Sequence, residues 1–120
     1  MHELAICQAL IEQVERVARD HEARRVLSIV VSVGPLSGVE ARLLEHAYPL
    51  AAAGTVAESA SLVVETMPVR VRCRTCHAET DAAPNRLLCG ACKDWQVDVT
   101  SGEEMLLKRV EIETAEAPVH

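Results

Sequence analysis

Residues 73–92 read CRTCHAETDAAPNRLLCGAC, two CxxC knuckles with twelve residues between them. Four thiolates suit a tetrahedral cation such as Zn²⁺, and a two-residue gap lets both sulfurs of one knuckle reach the same ion. The set is closed, with four protein ligands and no open position, which favours a structural role over catalysis. The stretch between the knuckles, with Ala82-Ala83-Pro84-Asn85 at its centre, is loop-rich, as expected where a metal rather than a core holds the chain together. A rubredoxin-like iron site uses the same ligands, and the spacing does not choose between the two metals. His77 follows Cys76 directly and reads as a surface histidine beside the knuckle.

Outward from this module the pattern is that of a folded domain. Leu4, Cys7, Leu10, Ile11, Val14, Val17 and Ala18 recur at steps of three and four, so a helix is expected over 3–20, with Cys7 as a small buried hydrophobe. Arg25–Val33 changes to an alternating, β-branched run and reads as a strand. Gly34-Pro35-Leu36-Ser37-Gly38 is a turn. A second helix is expected from Val39 to a C-terminal Gly54, kinked or broken at Pro49, with Val39, Leu43, Leu44, Ala47, Leu50 and Ala51 as its apolar face. Further strands are expected over 60–67, near 69–72, over 95–99 and over 105–112, with a turn at Ser101-Gly102. The fold class is therefore α/β: a small sheet packed with two helices, completed by the C-terminal strand, with a zinc-ribbon-like module inserted before it. Residues 1–69 and 103–115 form the α/β domain on this reading, and residues 70–102 the four-cysteine module.

Composition narrows the function. The 120 residues are 49% hydrophobic but only 2% aromatic, with no Phe, so the core is aliphatic and a bound metal would add stability that small side chains do not. The formal charge of -6 lacks the cationic footprint of a nucleic-acid protein, and one Trp and one Tyr make no stacking platform. No run is long enough for a membrane-spanning helix, and the first residues lack a secretory h-region, so a cytoplasmic protein is expected, where reducing conditions favour metal-ligating over disulfide-bonded cysteines. No nucleophile elbow, phosphate loop or open zinc set is present, and no enzymatic turnover is expected. Lone residues such as Asp81 and His46 read as surface positions. A zinc-ribbon interaction module is the competing class, with Arg70, Arg72 and Arg74 as a small basic cluster for a protein contact.

Met1-His2-Glu3 is a second candidate ligand set. The α-amino group has a pKa near ~8, low enough for a metal to displace its proton. The His2 imidazole and backbone nitrogen lie in small chelate rings with it, and Glu3 can add its own backbone nitrogen or carboxylate. Ni²⁺ and Cu²⁺ favour such square-planar nitrogen sets. Alone, an early histidine is ordinarily just an exposed residue.

Taken together, MHELAICQAL, Val33-Gly34-Pro35-Leu36-Ser37-Gly38-Val39-Glu40, Gly54-Thr55, the paired knuckles and Ser101-Gly102-Glu103-Glu104 make the chain resemble the HypA/HybF family of hydrogenase nickel-incorporation proteins, nearly end to end. The resemblance implies a nickel metallochaperone. It implies Ni²⁺ as transient cargo on Met1, His2 and Glu3, and structural Zn²⁺ on Cys73, Cys76, Cys89 and Cys92. It also implies work with a HypB-type GTPase and docking to the hydrogenase large-subunit precursor, some relatives serving urease as well. Glu40, in the shared turn, is a candidate supporting or docking residue on the same ground, though it also reads simply as an acid at a helix N-terminus.

Overall fold

The computed structural model describes residues 2–114, the side chain of His2 excepted. The elements in chain order are α1 (His2–Asp20), β1 (Ala23–Val33), α2 (Ala41–Ala52), β2 (Ser61–Thr66), β3 (Val69–Cys73), β4 (Glu79–Ala82), β5 (Val97–Ser101) and β6 (Met105–Thr114). They form two three-stranded sheets, ordered β2-β1-β6 and β4-β3-β5. The chain divides into two compact units, one of Met1–Val31, Glu40–Val64 and Leu107–His120, the other of Ser32–Val39 and Glu65–Leu106.

In the first unit the periodicity of α1 buries Cys7, Leu10, Ile11, Val14 and Ala18 along one face. That face packs on α2, which contributes Leu44, Tyr48 and Ala52. The Cys7 thiol donates to the Leu44 carbonyl at 3.4 Å and the Tyr48 hydroxyl to the Ala57 carbonyl at 2.8 Å, so both buried polar groups are satisfied. Burial pushes the Cys7 thiol up, with Glu3 adding to the shift, and burial likewise raises Tyr48.

The apolar face of α2 is not the one its sequence suggests. Leu44 is buried, but Leu43 is 44% and Leu50 68% exposed, while Tyr48, at i+4 from Leu44, takes the core position. Pro49 does not break the helix, which runs unbroken to Ala52. It lies on the exposed side, where water can serve the carbonyl its missing N–H leaves unpaired. Gly54 adopts φ +77 just beyond the helix, as a terminating glycine does.

β1 is the middle strand of its sheet. Ile29, Val30 and Val31 are all buried, so both faces of the strand are covered at its centre, whereas Leu27 is left largely exposed. Arg25 pairs with Glu113 at 2.6 Å, and the Ser28 hydroxyl donates to Glu111. Partner numbers fall on β6 as they rise on β1, so the two strands run antiparallel.

In the second unit β3 is central, antiparallel to both β4 and β5. Val69, Val71 and Cys73 alternate inward along it. β4 lies in the stretch read from sequence as loop; Glu-Thr-Asp-Ala has little strand propensity, and pairing with β3 supplies what propensity does not. β5 starts at Val97 rather than Trp95, which stands 72% exposed outside the sheet. The glycine motifs of this unit meet directly. Leu36 N–H donates to the Gly102 carbonyl at 2.8 Å and Gly34 N–H to the Glu104 carbonyl at 2.8 Å. A Cβ on Gly34 would lie 2.1 Å from the Gly102 oxygen, and one on Gly102 2.9 Å from the Val69 Cα.

Candidate metal centre

Cys73 ends β3, and Cys76 follows across a tight turn; Cys89 and Cys92 repeat that turn sixteen residues later. The two knuckles are built alike. Cys73 Sγ accepts from Thr75 N–H (3.3 Å) and Cys76 N–H (3.4 Å), and Cys89 Sγ accepts from Ala91 N–H (3.3 Å) and Cys92 N–H (3.4 Å). His77 N–H donates to the Cys73 carbonyl and Lys93 N–H to the Cys89 carbonyl, with both residues at φ 66. His77 therefore holds the same left-handed corner as Lys93, an exposed turn position.

The four sulfurs lie within 4.8 Å of one another. Cys73 to Cys92 and Cys76 to Cys89 are each 3.6 Å. A zinc ion about 2.3 Å from each of four sulfurs sets tetrahedral edges of about 3.8 Å, so these thiols have the spacing the ion demands. Their acidity is uneven. N–H donation from Cys92 holds the Cys89 thiol down to about 6, and donation from Cys76 lowers Cys73. At Cys92 the Asp94 backbone pulls downward, but the Cys73, Cys76 and Cys89 thiols and desolvation outweigh it, and the thiol is pushed up to about 12. Cys76 also ends above its ordinary value, although the Ala78 backbone draws it down. Four crowded thiols thus cannot all ionise on their own, and a cation is the natural partner that lets them.

A polar frame fixes the knuckles. Thr80 Oγ1 accepts from Gly90 N–H at 2.8 Å, tying β4 to the second knuckle. Thr75 Oγ1 donates to Asp94, which also accepts from Gln96 N–H at 3.2 Å; the Thr75 bond chiefly holds the Asp94 carboxyl below its usual range. Arg74 grips Asp98 through two nitrogens, the closest contact being 2.6 Å, and Arg70 pairs with Asp81 at 2.8 Å. The basic cluster of the sequence is therefore largely neutralised by its own neighbours. Glu104 accepts from Gly102 N–H (2.8 Å) and Glu103 N–H (2.9 Å), and the Gly102 bond leads in lowering its carboxyl. Sequence reasoning passed over this role of Glu104; its signal was the glycine two residues before it.

Of the second candidate set, Met1 and the side chain of His2 lie outside the described residues. Glu3 stands half-buried in the first turn of α1, and Glu40 immediately precedes α2 without making a side-chain cap. Glu3 and Leu4 line a groove of about 320 Å³ with Leu43, His46, Ala47 and Leu50. Among the described residues no helix is long and apolar enough to cross a membrane.

Comparison with known proteins accords with this architecture. The family described as "Hydrogenase/urease nickel incorporation, metallochaperone, hypA" matches residues 1–112. A "Hydrogenase maturation factor HypA" from Nitrosospira multiformis is 48% identical over 114 residues, covering 95% of this chain and 99% of the relative. One of the same name from Aquifex aeolicus is 40% identical, covering 94% and 98%. The solution structure of a HypA protein superimposes with a TM-score of 0.72 at 26% identity, covering 93% of this chain and 96% of the other. That of the Ni metallochaperone HypA from Helicobacter pylori, at 24% identity, shares the fold with a TM-score of 0.71, covering 93% and 97%. With the four-cysteine centre, the two helices and the small sheets already in view, the chain belongs to the HypA family.

Proposed function

We propose that this chain is a nickel metallochaperone that carries Ni²⁺ to the large-subunit precursor of a [NiFe]-hydrogenase, and that Cys73, Cys76, Cys89 and Cys92 hold a structural Zn²⁺. The observation that carries the reading is the family match, which starts at residue 1 and so takes in Met1-His2-Glu3. Zinc is the metal proposed for the cysteines because four closely spaced thiolates with no open position are the ligand set of its structural tetrahedral sites.

The setting of Glu3 suits a cargo site. α1 begins at His2, so the backbone nitrogens of residues 2 and 3 belong to the first turn, whose N–H groups have no carbonyl partner within the helix. A metal that replaces those protons breaks no ladder bond. A bare cation is disfavoured at the positive end of a helix dipole, but deprotonated amide nitrogens and the Glu3 carboxylate bring compensating negative charge. Square-planar nitrogen donors also select against Zn²⁺, which prefers tetrahedral sites.

Residues 1–69 and 103–115 serve as the nickel-handling domain and residues 70–102 as the zinc module on this reading; all four ligating cysteines do fall in one compact unit, but that unit also takes in residues 32–39, 65–69 and 103–106. The protein works in the cytoplasm by binding and hand-over, without chemical turnover. Its partners are a HypB-type GTPase and the hydrogenase precursor, and urease maturation proteins are a further class of client. The test is a Ni²⁺ titration of zinc-loaded protein with a native N-terminus, beside His2→Ala and an N-terminally extended form. One Ni²⁺ bound by the native chain and none by either variant is the expected result. Equal binding by all three would move the cargo elsewhere in the chain.

A further inference from the structure

The four sulfurs of the metal centre are not equivalent. Cys73 and Cys89 are only 1% and 0% exposed, whereas Cys76 and Cys92 stand at the surface. The two contacts at 3.6 Å both run from one knuckle to the other, and each joins a buried sulfur to an exposed one: Cys73 to Cys92 and Cys89 to Cys76. Each buried sulfur is anchored by two N–H groups of its own turn, which support negative charge on it without help from solvent. A solute meeting this surface therefore reaches Cys76 or Cys92 first, and behind each lies a partner sulfur already in contact. That is the arrangement of an oxidisable cysteine with a resolving one. An S–S bond is about 2.05 Å long, so neither pair has far to close. Cys7, the remaining cysteine, is buried in the other unit with its thiol bonded to the Leu44 carbonyl.

We propose that the four-cysteine centre is a peroxide-responsive switch, in which Cys76 and Cys92 are oxidised first and the buried Cys89 and Cys73 resolve them into two cross-knuckle disulfides, Cys76–Cys89 and Cys73–Cys92. The inference rests on the reading of these cysteines as ligands of Zn²⁺ and gives the same site a regulatory role. Hydrogen peroxide is the oxidant. The exposed thiolate attacks one peroxide oxygen, the O–O bond breaks, and a sulfenic acid and a hydroxide are left. The buried thiolate then attacks the sulfenic sulfur, the S–S bond forms, and the S–O bond breaks to release a second hydroxide. Each pair of thiolates thus gives two electrons to one peroxide. Two peroxides consume all four thiolates, and the site keeps no anionic donor for its ion. Both cross-links tie one knuckle to the other, so the module stays closed once the ion has gone, and a thiol reductant restores the ligands.

The experiment treats the zinc-loaded, full-length protein with hydrogen peroxide and follows released Zn²⁺ with a chromogenic chelator. Remaining thiols are then alkylated under denaturing conditions, and the disulfides are mapped by tandem mass spectrometry of a tryptic digest. Trypsin cuts after Arg74 and so parts Cys73 from Cys76. The expected result is one Zn²⁺ released for two peroxides consumed, the pairs Cys73–Cys92 and Cys76–Cys89, and Cys7 found alkylated. Dithiothreitol should return full zinc binding, and dimedone should trap a sulfenic acid on Cys76 or Cys92 and on neither buried cysteine. Disulfides inside each knuckle, Cys73–Cys76 and Cys89–Cys92, would overturn the proposal. So would zinc that stays bound, or oxidation to sulfinic acid with no disulfide. If the purified protein carries iron instead of zinc, the zinc reading falls, and the pairing mapped after peroxide treatment of the metal-free chain still decides for or against the switch.

Discussion

At the scale of single residues, the tightest constraint lies between two glycines sixty-eight positions apart in sequence. Gly34 and Gly102 bring two backbones so close that a methyl group on the first would stand 2.1 Å from a carbonyl oxygen of the second. No side-chain rotation relieves a clash with main chain, so Gly34→Ala should destabilise the protein by about 3 kcal/mol or more, at or beyond the upper end for overpacked sites. A urea midpoint indistinguishable from wild type would mean that the two backbones do not meet in this way. Glu104, beside them, acts through charge. Its carboxylate accepts the N–H groups of residues 102 and 103, which holds its folded pKa below the usual ~4.3 of an unfolded Glu. A depressed carboxylate contributes stability that is fully present above the unfolded pKa and lost as pH falls through the folded one. Glu104→Gln should therefore be less stable than wild type at neutral pH, with the gap closing as urea midpoints are followed down toward pH 3. A gap that stays constant would remove the ionised carboxylate from the account.

Elements tell a different story from residues, because their boundaries depend on neighbours. The periodicity of α1 and the β-branched run of β1 were strong enough to read directly, and the buried positions Cys7, Leu10, Ile11 and Val14 are those the spacing picks out. α2 was harder. Leu43 and Leu50 carry the largest apolar signal in its sequence, yet Tyr48 takes the core position because its hydroxyl finds the Ala57 carbonyl while its ring fills the space. β4 was invisible for want of propensity, and only its partner β3 makes it a strand. The four cysteines were legible from spacing alone. Their N–H···S bonds, the matching corners at His77 and Lys93, and the groove shared by Glu3 and His46 arise from backbone geometry and packing that no local pattern encodes. Pro49 offers a test at this scale. It interrupts the helix ladder on the exposed face, so Pro49→Ala should restore one hydrogen bond and raise stability by about 1 to 3 kcal/mol. Destabilisation instead would show that the ring makes a contact worth more than the missing bond.

For the whole molecule the question is how far one part depends on the other. Both helices lie in one compact unit and all four ligating cysteines in the other. Removing the metal by chelation takes away the cation that lets the crowded thiolates share one site, and with it the support of β3, β4 and β5. Amide protons in those strands should then lose protection from hydrogen exchange, while those of α1 and α2 keep theirs. Equal loss of protection in both units would show that they unfold as one.

Neither unit is a single run of chain. The polypeptide passes from one to the other at residues 31/32, 39/40, 64/65 and 106/107. During synthesis, therefore, the cysteine-bearing unit has all its residues as soon as Leu106 has emerged from the ribosome, while the sheet of β2 and β1 still waits for the rest of β6. The nascent protein can gather its four cysteines before the β2-β1-β6 sheet is finished. A gene cut short just after residue 106 would therefore still encode every residue of the cysteine-bearing unit, but never the whole of the helical one, which draws on three separate stretches of chain.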